Sequence, residues 1–260
     1  MGTVKLVTSR SNPQWQRLRK LALDPAAYRR QGEVWIEGEH LCAAHLARGG
    51  VPRCAVIDDA AWEQPGLRAL ASRAESVIVV APALMAALST LESPAPIGFA
   101  IAWPGAGEIV AGRPSVVLDR LQDAGNVGAI LRSAAAFGFA QIVALKGTAA
   151  LWSPKVMRAG MGAHFSLTLV EGVAPEALDR LGLPLLATSP HAPDRIDAVA
   201  LPWPCAWVLG HEGQGIGAGV LGSCTLKLAI PQPGGEESLN AAAAAAVCLY
   251  ESVRQRSARG

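Results

Sequence analysis

Residues Leu226 to Glu251 read LKLAIPQPGGEESLNAAAAAAVCLYE, and the succession of residue types in that stretch sets the expectation for the second half of the chain. The apolar run Leu226–Ile230 has the length of a buried strand, and Pro231, which donates no ladder hydrogen bond, ends it. Gly234 and Gly235 let the backbone turn sharply or come close to a ligand. From Ser238, a residue type that suits an N-cap, alanine and leucine without glycine favour helix. A strand therefore feeds a glycine loop that feeds a helix. The alanines Ala241–Ala246 have two readings. Either they express helix propensity alone, or the helix passes through a tight place where larger side chains would collide.

The same rhythm runs back from this stretch. Strands are expected at Val116–Leu118, Ile142–Leu145, Phe165–Leu169, Leu185–Thr188 and Ala206–Leu209, with helices near Val127–Phe137, Pro154–Met161 and Pro175–Leu181. That alternation predicts an α/β fold with an open parallel sheet covered by helices, a class that binds ligands beyond the carboxyl ends of its strands. The first half alternates as well. Trp15, Leu18, Leu21 and Ala22 recur at helical spacing, and a strand is expected over 33–38, followed by a helical pattern over Glu39–Leu46. Further strands at Cys54–Ile57, Ser76–Val80 and Ile97–Ala102, with helical runs Ala60–Arg73 and Ala83–Leu91, predict a small, largely parallel sheet. Proline and glycine crowd between Trp103 and Pro114, which marks a linker over 104–114 between domains at 1–103 and 115–260.

At 260 residues, 51% apolar and 17% charged, the chain is a folded protein with ample core. It offers no run of about 20 apolar residues for a membrane span, and its N-terminus lacks the apolar core of a signal peptide, so the cytoplasm is the expected compartment. Cys42, Cys54, Cys205, Cys224 and Cys248 are widely spaced with no C-x-x-C pair. Reduced core thiols are expected rather than a metal site or a disulfide framework. A net charge of +2 does not by itself signal a nucleic-acid binder. Its distribution says more, because Lys5, Arg10, Arg17, Arg19, Lys20, Arg29 and Arg30 are opposed only by Asp24. Such an arm reads as a polyanion contact or as a solvated helix face.

Three loops at strand ends could carry chemistry. In DRLQDAGNVGAILR, Asp119–Arg132, Asn126 is placed to cap a helix, and Arg132 among apolar neighbours calls for an anion, phosphate suiting its fork. In GHEGQGIGAGVLG, Gly210–Gly222, the glycines 217, 219 and 222 satisfy G-x-G-x-x-G. That pattern has mechanical meaning only where it leaves a strand directly and opens a helix, with an acidic residue about 20 positions later. Here other residues intervene and a strand is expected to follow, so a nicotinamide-dependent oxidoreductase is an alternative with little mechanical support. The third loop sets Ser238 and Asn240 at a helix start. No histidine neighbours a serine or cysteine nucleophile in these loops and there is no Walker lysine, which leaves hydrolase triads and P-loop chemistry unsupported.

Taken in order, NVGAILR at Asn126–Arg132, VLGHEGQG at Val208–Gly215 and IPQPGGEESLN at Ile230–Asn240 resemble the three motifs of the SpoU/TrmH family of S-adenosylmethionine-dependent RNA ribose 2′-O-methyltransferases. TSRSNP at Thr8–Pro13 and WIEG at Trp35–Gly38 are similar to the amino-terminal RNA-binding domain, related to small ribosomal proteins, that many members carry. The resemblance implies a trefoil knot, in which the C-terminal helix threads a loop, a rare exception among chain topologies. It also implies a homodimer formed through the knotted region. For the cofactor S-adenosylmethionine it implies a site at Thr188, Leu209, Gly210, His211, Glu212, Gly213, Ile230, Gln232, Ser238 and Leu239. For catalysis it implies Asn126, Arg132, Glu212, Ser238 and Asn240. Because arginine keeps its proton in proteins, the part expected of Arg132 is to grip phosphate and stabilise a developing alkoxide. Arg10, Arg17, Arg19, Arg29 and Arg30 would meet the phosphates of a ribosomal or transfer RNA. The chain departs from the family pattern at Ala124, Gln232 and Gly160, where proline, methionine and serine are usual. A catalytically silent RNA-binding homologue, keeping the loops without binding cofactor, is the other reading.

Overall fold

The computed structural model describes residues 3–189, 192–234 and 239–258. The first elements are β1 (Thr3–Val7), α1 (Pro13–Leu23), α2 (Ala27–Gln31), β2 (Glu33–Glu37), α3 (Glu39–Ala47), β3 (Cys54–Asp58), α4 (Asp59–Trp62), α5 (Pro65–Ala71), β4 (Ser76–Val80), α6 (Pro82–Ala86) and β5 (Ile97–Ala102). There follow β6 (Ser115–Asp119), α7 (Ala124–Ala136), β7 (Gln141–Leu145), α8 (Pro154–Gly160), β8 (Thr168–Val173), β9 (Leu185–Thr188), β10 (Asp194–Arg195), β11 (Ala206–Gly210), α9 (Ala218–Gly222), β12 (Leu226–Ala229) and α10 (Ala241–Ser257). They form two compact units. The first ends at Gly105 but also takes in Trp152–Phe165, and the second comprises Ala106–Leu151 and the residues from Ser166 onward.

In the first unit, α1 starts where the sequence predicts a turn. The Asn12 side chain accepts from the amides of Gln14 and Trp15, Pro13 occupies the first turn, and Trp15, Leu18, Leu21 and Ala22 are buried. The sheet runs β1-β4-β3-β5-β2. Its β1·β4 and β3·β4 pairs are parallel, whereas β3·β5 and β2·β5 are antiparallel. The expected largely parallel sheet is thus corrected to a mixed one: β5 inserts between β2 and β3 in the opposite direction, and strand polarity is not encoded in apolar periodicity. The run Ala60–Arg73 is two helices because Pro65 cannot continue α4 and instead begins α5. Two carboxylates of β2 are buried and paired, as burial of charge requires. Glu33 meets Arg17 and Arg53, and Glu37 meets Arg158 of α8 at 3.3 Å.

The second unit is an entirely parallel seven-stranded sheet of order β10-β12-β9-β11-β6-β7-β8. On one face Val117, Val143 and Val208 pack with Leu178 and Leu181 of a 3₁₀ turn at Pro175–Leu181, where the sequence suggests an α-helix. On α10, Ser252 accepts a 2.8 Å hydrogen bond from the buried Trp207 indole of β11, and α10 also packs along α7. The stretch expected to be a linker is tied to this unit. Val110 exchanges hydrogen bonds with the Gln141 side chain, and the Gly112 amide donates to Leu181 at 2.8 Å. At Gly107, with φ +70, a Cβ would lie 2.1 Å from the Leu169 carbonyl oxygen, so only glycine allows the approach. All five cysteines are buried and free, and burial pushes the thiols of Cys205 and Cys224 up to about 12 and about 11, as inert core thiols should be. No helix among the described residues is long and apolar enough to cross a membrane.

Candidate active site

β6 and β11 are neighbours in the middle of the parallel sheet, paired in register so that Gly210 lies opposite Asp119 at their carboxyl ends. From β6 the chain proceeds to β7 and β8 on one side, and the later strands β9 and β12 lie on the other. This is a topological switch point, where open α/β sheets bind ligands. The loops after both strands, and the start of α10, converge there.

The convergence is made by side-chain amides. α7 begins at Ala124, and its cap is Asp123, whose carboxylate accepts from the Asn126 amide at 2.7 Å. The expected capping role of Asn126 is therefore corrected: Asp123 performs it, and the Asn126 side chain is released for another task. α10 is capped by Asn240, whose Oδ1 accepts from the Ala242 and Ala243 amides at 2.9 and 3.2 Å. With its oxygen so committed, the Asn240 amide nitrogen donates, to Asn126 Oδ1 at 2.9 Å. Asn126 Nδ2 in turn donates to Glu212 Oε1 at 3.3 Å. Helix capping at one end thus dictates the polarity of the whole relay. Ser238, expected both as N-cap and as a site residue, lies outside the described residues.

Glu212 closes the relay onto the backbone of the first loop, accepting from the amides of Asp123 at 3.1 Å and Gln122 at 3.3 Å. Partial burial works against its charge, but the amides of Glu212, Asp123 and Gln122 and the Asn126 side chain outweigh it, and the carboxyl is held below its ordinary value. A carboxyl lowered in the folded state contributes stability above its unfolded value and loses it as pH falls through the folded one. The Glu212 contacts should therefore be complete at neutral pH and open only below the ordinary carboxyl range of about 4. A carboxyl-carbon NMR titration with a midpoint at or above that range would contradict this assignment.

The loop carrying Glu212 is a tight hairpin. His211 and Gly215 exchange backbone hydrogen bonds, and His211 Nδ1 accepts from the amides of Gly213 at 3.0 Å and Gln214 at 3.2 Å. A Cβ on Gly210 would lie 2.2 Å from the Gly215 carbonyl carbon and from the Ile216 nitrogen, so the returning strand of the hairpin can pass only a glycine. Leu209 is buried beneath it, and Thr188 is half-buried at the end of β9. The glycines that match G-x-G-x-x-G make no dinucleotide site. Gly217 precedes α9 and Gly222 ends it, so the helix that a dinucleotide pyrophosphate needs is a five-residue turn. Glycine-rich composition hid that turn from the sequence.

Against α10 lies a groove of about 550 Å³, lined by Ile230, Pro231, Gln232, Gly234 and Leu239 from the segment before α10, by Val247, Tyr250 and Glu251 of α10, and by Ile196 and Asp197. Of the expected cofactor residues, Ile230, Gln232 and Leu239 form its walls; Thr188 and the hairpin residues do not. The Gln232 Oε1 is buried without a hydrogen-bond partner among the described residues. A largely apolar groove of this size with one unsatisfied acceptor suits a planar, amine-bearing heterocycle of nucleoside size.

Arg132 is exposed and has no hydrogen bond or ion pair among the described residues. Six residues beyond Asn126 on α7, it lies about 9 Å along the axis and about 120° around it, so the two side chains leave the helix on different faces. The basic arm is likewise divided. Arg17 is engaged by Glu33 and Arg30 by Asp24, and Arg29 lies 5.1 Å over the Tyr28 ring. Arg10 and Arg19 are exposed, without an ion pair among the described residues. The site residues that sequence reading misses are Asp119, Arg120 and Asp123, although they stand in the quoted loop. Asp119 and Asp123 left a signal, acidic residues at the end of a buried strand and just beyond it, whereas nothing in the sequence marks Arg120.

The pattern of the SpoU rRNA Methylase family matches residues 113–250. A protein of Synechocystis described as an uncharacterized tRNA/rRNA methyltransferase is 34% identical over 96% of this chain and 94% of its own length. The Nitrosomonas europaea 23S rRNA (guanosine-2′-O-)-methyltransferase RlmB is 39% identical over 55% of this chain and 57% of its own. Among solved structures, the SpoU methyltransferase AviRb from Streptomyces viridochromogenes, in complex with the cofactor AdoMet, superposes with a TM-score of 0.84 at 26% identity, covering 94% of this chain and 98% of that one.

Proposed function

The chain belongs to the SpoU rRNA methylase family, and we infer that it transfers the methyl group of S-adenosylmethionine to the 2′-hydroxyl of an RNA ribose. The observation that carries this reading is the relay Asn240–Asn126–Glu212, which joins side chains 114 and 86 residues apart at the switch point of the sheet. Its members are the polar residues of the three motifs.

The residues present fit the cofactor. The hairpin at 211–215 folds tightly back on Gly210 and would present its backbone to the cofactor, and Ile230, Gln232 and Leu239 offer apolar walls and an open acceptor. When bound, S-adenosylmethionine supplies an electrophilic methyl group on a sulfonium sulfur. The chain's part is to hold the ribose and to steady charge, since alignment of reactants can remove about 7–11 kcal/mol of a barrier. Asn126, fixed in orientation from both sides, is suited to hold a ribose hydroxyl. Arg132, unengaged and permanently charged, is suited to grip the RNA phosphate and favour the developing alkoxide. Titration calorimetry tests the reading against its alternatives: S-adenosylmethionine should bind and NAD should not. A chain that binds RNA but no methyl donor would be the silent homologue.

The finer architecture is proposed with it. α10 threads a loop of the second unit, and its small alanines, from exposed Ala243 to fully buried Ala245 on a helix packed against α7 and β11, leave the backbone room for that passage. A crystallographic trace through 235–238 that leaves α10 unthreaded would refute the knot. Exposed Val247 and Tyr250 on α10, with Leu239 before it, support a homodimer through this region, to be read by light scattering as twice the chain mass. The unit ending at Gly105 is the RNA-binding domain, and ribosomal or transfer RNA as substrate implies the cytoplasm. Within that unit Arg10 and Arg19 are free to meet phosphate, whereas Arg17 and Arg30 are engaged by carboxylates. Arg10→Ala and Arg19→Ala should each lower the slope of log affinity against log salt by about 0.7–0.9. RNA binding that ignores salt would sink the assignment.

A further inference from the structure

Arg120, the residue after β6, has φ +60, one of two residues other than glycine with positive φ among those described. Left-handed backbone is natural for glycine and tolerable for asparagine, but it presses a Cβ against the following carbonyl. An arginine there needs a compensating reason, and its side chain supplies one. The guanidinium donates from Nε to Asp119 Oδ1 at 3.0 Å and from Nη2 to Asp119 Oδ2 at 3.3 Å. Beyond this brace it crosses to the hairpin after β11, donating to Gln214 Oε1 at 3.1 Å and to the Gly215 carbonyl at 3.4 Å.

The backbone of the same residue is fastened as well. Its amide donates to Thr148 Oγ1 at 3.1 Å, and that hydroxyl donates to the Leu118 carbonyl at 2.9 Å. Asp119, only 3% exposed, takes the other end of the loop, accepting from the Gly217 amide at 2.6 Å. The fit at 217 is close: a Cβ there would lie 3.3 Å from both Arg120 Nη2 and Asp119 Oδ2 and would make one of them give by a few tenths of an ångström. The pair thus grips the loop at two points, at 214–215 and at 217, while Glu212 at the hairpin's turn grips Asn126.

We propose that Arg120 is a positioning residue for methyl-donor binding, a clamp that presets the hairpin 211–215 so that the donor meets an already ordered loop; this rests on the reading of that loop as cofactor-binding. A loop ordered before binding spares the ligand the entropy of ordering it, so the clamp acts on affinity for the donor more than on the chemical step. A residue present only to make the turn would act differently, because glycine makes that turn better.

Arg120→Gly separates the two roles, since it removes the clamp and the strain together. Relief of the strain offsets only part of the loss of Asp119's partner, so the expected result is a modestly lowered melting temperature, with the Kd and KM for S-adenosylmethionine raised about tenfold, kcat at saturating donor changed far less, and faster amide hydrogen exchange at Gly213–Gly217. Arg120→Lys, which keeps the charge without the fork, should recover part of the affinity. If glycine disturbs folding, Arg120→Asn, tolerant of the same backbone, takes its place. Wild-type donor affinity in the glycine or asparagine variant overturns the proposal, and so does a loss of affinity with exchange at 213–217 unchanged. Should the wild-type protein itself bind no donor, the cofactor reading fails on its own, and hydrogen exchange still decides the clamp: exchange at 213–217 unchanged by Arg120→Gly overturns it.

Discussion

Arg132→Ala should reduce kcat for RNA methylation by about 10²–10³-fold, the usual cost of removing one fixed stabiliser of transition-state charge, while leaving affinity for S-adenosylmethionine essentially unchanged. The asymmetry follows from where the side chain sits. It is exposed, it takes no part in the Asn240–Asn126–Glu212 relay, and it lies around the helix from Asn126. Removing it disturbs nothing that shapes the donor site, so its loss is felt only when substrate and charge are present. Arg132→Lys should be intermediate, because an ammonium supplies charge without the bidentate fork that matches a phosphate. Calorimetry and single-turnover kinetics on the same preparation would check this. If donor affinity and turnover fell together by the same factor, Arg132 would be architectural.

The second large effect is expected at Asn240, where two substitutions separate folding from function. Asn240→Asp keeps an oxygen to accept from the Ala242 and Ala243 amides, and a negative charge at a helix N-terminus is favourable; stability should hold. The substituted carboxylate cannot donate to Asn126 Oδ1, so the relay breaks at its first link and the Asn126 amide loses its enforced orientation. Methylation should fall about 10²-fold with the melting temperature unchanged or raised. Asn240→Ala should lose the same activity and, in addition, about 1 kcal/mol of stability with the cap. Full activity in Asn240→Asp would show that the relay holds the fold together without serving the reaction.

The middle of the parallel sheet was legible because β6, β7, β9 and β11 are short continuous apolar runs, the signature of strands buried on both faces, whereas β8 starts three residues later than the expected Phe165–Leu169 and the exposed pair Asp194–Arg195 of β10 gave no such signature. The three motifs were legible because glycine and polar residues at strand ends have few other reasons to cluster. What the sequence hid is the choice among equivalent residues. Asp123 and Asn126 are both good caps, and only the positions of the backbone amides decide that Asp123 takes the role and Asn126 reaches to Asn240 and Glu212. The basic arm looked uniform because Glu33, sixteen residues beyond Arg17, is a strand residue whose burial no local pattern reveals. Strand direction in the first sheet is likewise a tertiary outcome, set by β5 entering between β2 and β3. Arg120 carried no signal at all: an arginine in left-handed backbone is visible only once φ is known.

Ribose methylation is decided by incubating the wild-type chain with methyl-labelled S-adenosylmethionine and unmodified ribosomal and transfer RNA transcripts, followed by alkaline hydrolysis. A methyl group on the 2′-oxygen removes the nucleophile that alkali uses to cleave the adjacent phosphodiester, so label is expected in alkali-stable dinucleotides and should be lost in Arg132→Ala. Label released in mononucleotides, which would place the methyl on a base, or no transfer from a donor shown to be bound, would contradict it.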